Sequence, residues 1–256
     1  MGYTDTIRTL YNKCGQEYHD SRREGPGRLH NEFIDRPALV KLLPKSLKGL
    51  KVLDAGCGSG ITSTLLARRG AVVSGIDLSP TMIDIACQET PKGLKVEYLI
   101  GTLTHLPFAN NSFDLVVCTY VLENIKSLAT AFTEFSRVLK SKGSVIFSIS
   151  HPIKAQSTGI DPLGKKVRVI EDYFASGMRQ ADFGHGLIVP KFRRPLEAYT
   201  IAATNAGFLI SDLREPRPIA AGKKVAPEGY EVANRLPQLL TMKLIKSPLW
   251  KPSSKK

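Results

Sequence analysis

The first fifty residues mix polar and aromatic positions and read as helical, with Tyr3, Tyr11, Tyr18 and Phe33 set among charged neighbours. An apolar segment, Ala38 to Leu43, stops at Pro44. From Lys51 the pattern changes to short apolar runs alternating with helix-length stretches. The runs are Val52-Leu53, Val72 to Ile76, Val96 to Ile100, Leu115 to Cys118 and Val145 to Ile149. Between them lie Thr62 to Arg69, Pro80 to Glu89 and Leu128 to Leu139. Gly70 and Gly143 stand just past two of these, where helix C-caps belong. Ser79-Pro80 reads as an N-cap followed by the first helical residue. Such alternation with continuous apolar strands predicts a parallel sheet covered on both faces, with ligands beyond the carboxyl ends of the strands.

After Ile149 the alternation lapses. Residues 151 to 195 carry His, Pro, Gly and aromatics without strong periodicity, and loops this long in a compact domain usually serve function. A helix from Pro195 to Asn205, Gly207 and a run from Phe208 to Leu213 resume the pattern. Leu239 to Ile245 is expected as a final strand, and Trp250 to Lys256 as disordered.

The composition, 42% hydrophobic and 23% charged over 256 residues, is globular. No run of eighteen apolar residues exists to span a membrane, and Met1 to Leu10 lacks the apolar core of a secretory signal. Cys14, Cys57, Cys87 and Cys118 form no CxxC pair, so no zinc site is indicated, and scattered thiols suit a reducing cytoplasm. The net charge is +13, but residues 51 to 150 are nearly balanced, with 9 Lys/Arg against 8 Asp/Glu. Residues 214 to 256 hold 10 against 3, so the excess concentrates near the C-terminus.

Chemistry first appears where the first strand ends in Asp54 and is followed by Gly56, Gly58 and Gly60 and then a helix. Glycines permit positive φ and let backbone N–H groups approach a ligand. Asp77 ends the next apolar run, about twenty residues on, where a carboxylate can accept both hydroxyls of a ribose. These two features alone permit a dehydrogenase. Against that, the spacing is GxGxG, and Asp54 would repel a pyrophosphate but could sit near the cationic end of a methionine moiety.

Val52 to Gly60 resembles the first motif of class I S-adenosylmethionine (SAM) dependent methyltransferases. Gly101 to Phe108 followed by Asn111 to Val116 resembles that family's third region, and Arg137 to Ser144 the segment before its fifth strand. The resemblance covers residues 50 to 150 and is nearest to the group containing the ubiquinone-type and other small-molecule enzymes. It implies an α/β fold: a Rossmann-like doubly wound seven-stranded sheet, mostly parallel, with an antiparallel last strand and helices on both faces. It implies a helical lid over residues 1–48, a SAM-binding core at 49–150 and a substrate-cap insertion at 151–195. Residues 196–246 would complete the sheet, and 247–256 would be a basic tail.

The resemblance also assigns roles by position. Backbone around Ala55, Gly56 and Cys57 would hold the methionine part of SAM, with Asp54, Gly58 and Gly60 also counted as cofactor-binding, and Asp77 would take the ribose, with Leu78 and Met82 flanking the adenine. Thr102 stands where relatives often have Asp, so the Leu103 backbone is expected to share the adenine contact. Thr119 and Tyr120 would line the methyl-transfer site, and Tyr11 and Tyr18 match a tyrosine pattern on a helix that closes over the cofactor. Thr119 and Tyr18 are counted with the cofactor, and Tyr11 with the acceptor.

An activated methyl needs alignment and exclusion of water, and a base only if the nucleophile must lose a proton. Where relatives often have His, this chain has Asn124, which cannot act as a base. His151, directly after the fifth strand, and Tyr120 are therefore the expected catalytic groups. His185, in the insertion, and Arg194, whose planar fork suits a carboxylate or phosphate, are expected to bind the acceptor with Tyr11. No metal is expected. The expected partner is a small-molecule acceptor, with S-adenosylhomocysteine (SAH) as product, in a monomer or homodimer. Two alternatives stay open: an RNA methyltransferase, favoured by the basic C-terminal region, and a non-catalytic SAM-binding protein.

Overall fold

The structure is a computed structural model and describes residues 2–25, 27–153, 158–160, 163–164, 166–170, 172–182 and 188–247. The N-terminal part is helical: α1 (Tyr3–Arg23), a single turn α2 (Arg28–His30), a π-helical turn (Asn31–Asp35) and α3 (Arg36–Leu42). Then β1 (Lys51–Ala55), α4 (Ile61–Arg68), β2 (Val72–Asp77), α5 (Pro80–Glu89), β3 (Val96–Ile100) and β4 (Phe113–Thr119) follow. A 3₁₀ turn (Leu122–Asn124) leads to α6 (Leu128–Val138) and β5 (Leu139–Ser150). Two small antiparallel ribbons come next, β6 (Thr158–Ile160) with β7 (Lys166–Arg168) and β8 (Gly177–Asp182) with β9 (Ile188–Arg193). The chain closes with α7 (Leu196–Asn205), β10 (Phe208–Arg214), α8 (Gly222–Val225), α9 (Pro227–Arg235) and β11 (Leu239–Lys246).

The main sheet has seven strands in the order β10-β11-β5-β4-β1-β2-β3. Its pairings are parallel except those of β11, the last strand, which runs antiparallel to both β5 and β10. This is the fold that the family resemblance implied, and its parallel part is the one expected from the alternation. One face packs on α6 and α7 around Phe132, Phe135, Phe147 and Phe208. The other packs on α3 and α4 through Leu39, Leu42 and Leu66. Strands buried on both faces explain the unbroken apolar runs. The order reverses between β1 and β4, which start neighbouring βα units in opposite directions, and a crevice opens at their carboxyl ends.

Local signals place the elements. Ser79 caps α5 by accepting the Met82 N–H, with Pro80 at the first helical position. Ser127 caps α6 in the same way through Thr130. One expectation is corrected. Gly143 does not cap α6: the helix stops at Val138, and β5 takes over at Leu139 because Phe113 pairs with Leu139. Before the final strand, α9 packs Ala233 onto Leu29, Phe33 and Ile34. The expected tail from 247 lies outside the described residues apart from Ser247. Among the described residues, no helix is long and apolar enough to cross a membrane.

Candidate active site

The β1–α4 turn is built by positive φ. Gly56, Gly58 and Gly60 sit at φ 78°, 53° and 76°. A Cβ on Gly56 would drive into the Val121 side chain, so the turn and the segment after β4 approach as closely as backbone allows. Behind the turn, buried Asp54 accepts the Ser63 hydroxyl at 2.6 Å, which ties β1 to α4. Burial pushes Asp54 up to about 6, while the Ser63 hydrogen bond and Arg22 pull it back.

Asp77 is fixed by the same turn. One carboxylate oxygen accepts the Gly58 N–H at 2.9 Å and the other the Ser79 N–H at 3.0 Å. Burial raises its pKa, opposed by these N–H groups. Both oxygens keep further lone pairs for ligand hydroxyls. On the far side, Thr102 accepts the Thr104 N–H at 3.0 Å and shares a hydroxyl hydrogen bond with Thr104 at 2.6 Å. The loop beyond is pinned by Arg137, which donates to the carbonyls of Leu106 and Phe108 and to Glu134. That pin accounts for Arg137 in its motif: it shapes the β3–β4 loop and carries no chemistry.

Helix α1 roofs the crevice. Tyr3, Ile7, Tyr11, Tyr18 and Arg22 face downwards, on one side of a helix that kinks at Cys14 (φ −114°, ψ 17°). Gly15 seats on α5, where a Cβ would meet Thr81, Met82 and Ile85 at 3.1–3.4 Å. Ser79 donates to the Asn12 side chain at 2.7 Å, and Asn124 donates to the Tyr11 hydroxyl at 3.3 Å. The result is a cavity of about 560 Å³. Its floor is Gly56, Gly58, Asp77, Leu78, Met82, Thr102 and Leu103, and its opposite wall runs from Thr119 to Ser127. That volume falls in the range of sites for small molecules and cofactors.

Tyr120 sits at the start of this wall in a left-handed conformation, φ 62°. A non-glycine residue there costs free energy and is held by its surroundings. Its ring packs on the cluster of Leu29, Phe33 and Ile34. Its hydroxyl is buried without a hydrogen-bond partner, and burial raises its pKa well above the ordinary value.

The residues expected from sequence divide in two. Gly56, Gly58, Asp77, Leu78, Met82, Thr102, Leu103, Thr119, Tyr120, Tyr11 and Tyr18 line one cavity. Asp54, Ala55, Cys57 and Gly60 do not line it; they build the turn beneath. Burial raises the Cys57 thiol well above its usual range, so it stays a neutral packing group. His151 also lies off the cavity. Its Nε2 is 2.9 Å from Glu215, its Nδ1 accepts the Ile153 N–H at 3.2 Å, and its backbone N–H donates to the Gln238 carbonyl. Both ring nitrogens are engaged, and burial lowers its pKa despite Glu215. It clamps the end of β5 to the C-terminal segments, which a position in sequence could not reveal.

Arg194 likewise lies off the cavity. Its guanidinium donates to the carbonyls of Leu122, Ile125 and Lys126 and stacks on Phe192, 4.6 Å from the ring centroid. It braces the wall from behind. Lys191 does the same through Glu123 at 3.2 Å, a pair in which Glu123 is buried and Lys191 partly so. His185 lies outside the described residues. Two residues that sequence reasoning passed over are Arg22 and Asp35. Arg22 lines the cavity beneath the rings of Tyr18 and Tyr120, at 5.7 and 5.8 Å from their centroids. Its place was legible as the continuation of the stripe Tyr3, Ile7, Tyr11, Tyr18 at three- and four-residue spacing.

Comparison with known proteins matches residues 53–147 to a methyltransferase domain family. A solved SAM-dependent methyltransferase from Mesorhizobium loti is 28% identical and superposes with a TM-score of 0.73 over 82% of this chain and 96% of that one. A Listeria monocytogenes structure assigned to the same class is 30% identical, with a TM-score of 0.74 over 83% of this chain and 96% of that one. The chain belongs to the class I SAM-dependent methyltransferases.

Among curated relatives, the demethylmenaquinone methyltransferase of Tropheryma whipplei is 32% identical over 155 residues. That alignment takes in 59% of this chain and 62% of the relative's length. The methyltransferase domain match runs from β1 to β5. The roof α1 and the β8–β9 ribbon behind the wall both lie outside it. Among the described residues, no group of three or more His, Cys, Asp or Glu side chains is placed to hold a metal ion.

Proposed function

We propose that this protein transfers a methyl group from SAM to a small-molecule acceptor. One observation carries the reading. A single cavity joins the glycine turn and Asp77 on its floor to Tyr120 and Asn124 on the facing wall, under one helical roof. The residues present suit SAM. Asp77 is preset for ribose hydroxyls, and Leu78, Met82 and Leu103 supply apolar surface for adenine. Arg22, the guanidinium at the glycine-turn end, would take the methionine carboxylate. Tyr18 would close over the same end.

SAM supplies an electrophilic methyl on a sulfonium when bound. This chain's part is to exclude water under α1, to orient the cofactor, and to leave the acceptor space by Tyr11, Tyr120, Val121 and Asn124. The wall offers no imidazole, and His151 is engaged elsewhere. Alignment and desolvation therefore carry the rate, with Tyr120 as the residue beside the transferring methyl. A small acceptor fits the cavity volume and the relative named for demethylmenaquinone. The RNA reading rests on the basic C-terminal region, of which residues 248–256 lie outside the described structure.

Two assays test this. Titration calorimetry should show one SAH site per chain. Methyl label from SAM should pass to a low-mass fraction of a cell extract. Label passing to RNA instead, with binding that collapses as salt rises, would reverse the assignment.

A further inference from the structure

Behind Arg22, away from the cavity, lies Asp35, the last residue of the π-helical turn Asn31–Asp35. π-helical turns are rare and recur at functional sites. Asp35 is 4% exposed, and its Oδ1 has no hydrogen-bond partner. It interacts with Ser148 on β5, which stands in register with Thr119 on β4 and Thr241 on β11. The Thr241 hydroxyl, 1% exposed, and the Tyr120 hydroxyl also lack partners. Unpaired buried polar groups are costly and call for an explanation.

The charges around Asp35 are few. From α1 comes Arg22; from its own helix, Arg36; from the wall, Tyr120; from β5, Ser148. Outside, Glu32 is taken by Arg28 at 2.7 Å and lies 4.0 Å from Arg36. Lys243 on β11 points away, donating to the Leu42 carbonyl at 3.1 Å. Arg22 is thus the cation shared between Asp35, Asp54 and the cavity, although no direct ion pair joins it to Asp35. Burial raises Asp35 to about 6, with Ser148, Arg22 and Arg36 pulling back.

We propose that Asp35 is a positioning residue for the methionine end of the cofactor: it balances the Arg22 charge in the free protein and takes up a proton when the cofactor's carboxylate arrives on Arg22. The proposal rests on the reading of the cavity as a SAM site. The carboxylate neutralises the cation that favours Asp35 as an anion and adds a second anion nearby, so Asp35 becomes harder to ionise. A proton from solvent then completes an O–H on Asp35, and no other bond changes. Because the complex holds more protons than the free protein, affinity must rise as pH falls. If ligand raises Asp35 by about one unit from about 6, SAH affinity tightens about fivefold between about pH 8 and about pH 6.

The test is titration calorimetry of SAH near pH 7 in two buffers of different ionisation heat. The wild type should take up roughly 0.4 proton per SAH at Asp35 if the shift is about one unit, and roughly 0.8 if it is about two. Asp35→Asn should bind SAH with a clearly smaller uptake and a flatter pH dependence of Kd than the wild type, the remainder belonging to Asp54, which Arg22 also holds down. 5′-Methylthioadenosine, which lacks the amino-acid end, should bind the wild type with no uptake, which tests the idea without any variant. Unchanged uptake in Asp35→Asn, equal uptake with 5′-methylthioadenosine, or none with SAH would overturn the inference while leaving the cofactor site standing. Failure of SAH to bind the wild type would remove the cofactor reading and this inference together.

Discussion

The floor of the cavity and its facing wall are held by different means. The floor is local. Asp54 bonds Ser63, nine residues on, and Asp77 bonds Ser79, two residues on, and Gly58, nineteen back. The wall from Thr119 to Ser127 is held from far along the chain, by Lys191 on Glu123, Arg194 on three carbonyls, and Tyr11 on Asn124. On the proposed function, the floor would recognise a part common to the whole family and needs only turn chemistry. The wall would face the variable acceptor, and it is braced by the roof helix and the β8–β9 ribbon, the parts outside the methyltransferase domain match.

The contrast can be broken from either side. Lys191→Ala leaves Glu123 buried and unpaired, so it should destabilise the fold by about 3 kcal/mol or more, read by denaturant unfolding. Replacing both partners, as Glu123→Gln with Lys191→Met, should restore most of that loss. Gly56→Val attacks the floor. Its Cβ meets Val121 and its φ of 78° disfavours a branched side chain, so SAH affinity should drop roughly fiftyfold or more. If Lys191→Ala harms SAH binding as much as Gly56→Val does, floor and wall are not separable.

Asp77→Ala is a milder change to the floor. It removes charge-assisted hydrogen bonds to ligand hydroxyls and should weaken SAH roughly twentyfold, with a smaller loss for a ligand lacking the ribose hydroxyls. The smallest effect concerns His151. Its folded pKa is lowered by burial, so the unfolded chain binds the extra proton first. Stability should therefore decline as pH falls below the ordinary histidine value of about 6.5, by at most about 1.4 kcal/mol per pH unit for this group. His151→Gln should lessen that slope and leave SAH affinity unchanged. A large loss of methyl transfer at constant SAH affinity would instead restore His151 to the mechanism.

The same division explains what the sequence made legible. Strand and helix positions from 51 to 150 follow from unbroken apolar runs and from the cap at Ser79, signals contained in a few neighbouring residues. The glycine turn and Asp77 were readable for that reason. Gly143 was misleading, because its place is set by strand pairing of Leu139 with Phe113 and not by the helix before it. Arg194 and His151 carried plausible chemistry in sequence, yet their partners sit 68 or more residues away for Arg194 and at Glu215 and Gln238 for His151. Asp35 gave no local signal, since what marks it is burial beside Arg22 and a missing hydrogen bond.

A crystal structure with SAH bound tests the central claim most directly, that one roofed cavity seats the cofactor along the floor and leaves the wall for the acceptor. The account predicts the ribose hydroxyls on Asp77, the adenine against Leu78, Met82 and Leu103, the carboxylate at Arg22, and the sulfur facing Tyr120 and Asn124. SAH lying along Ile125 to Thr130 instead, or with its carboxylate remote from Arg22, would contradict it.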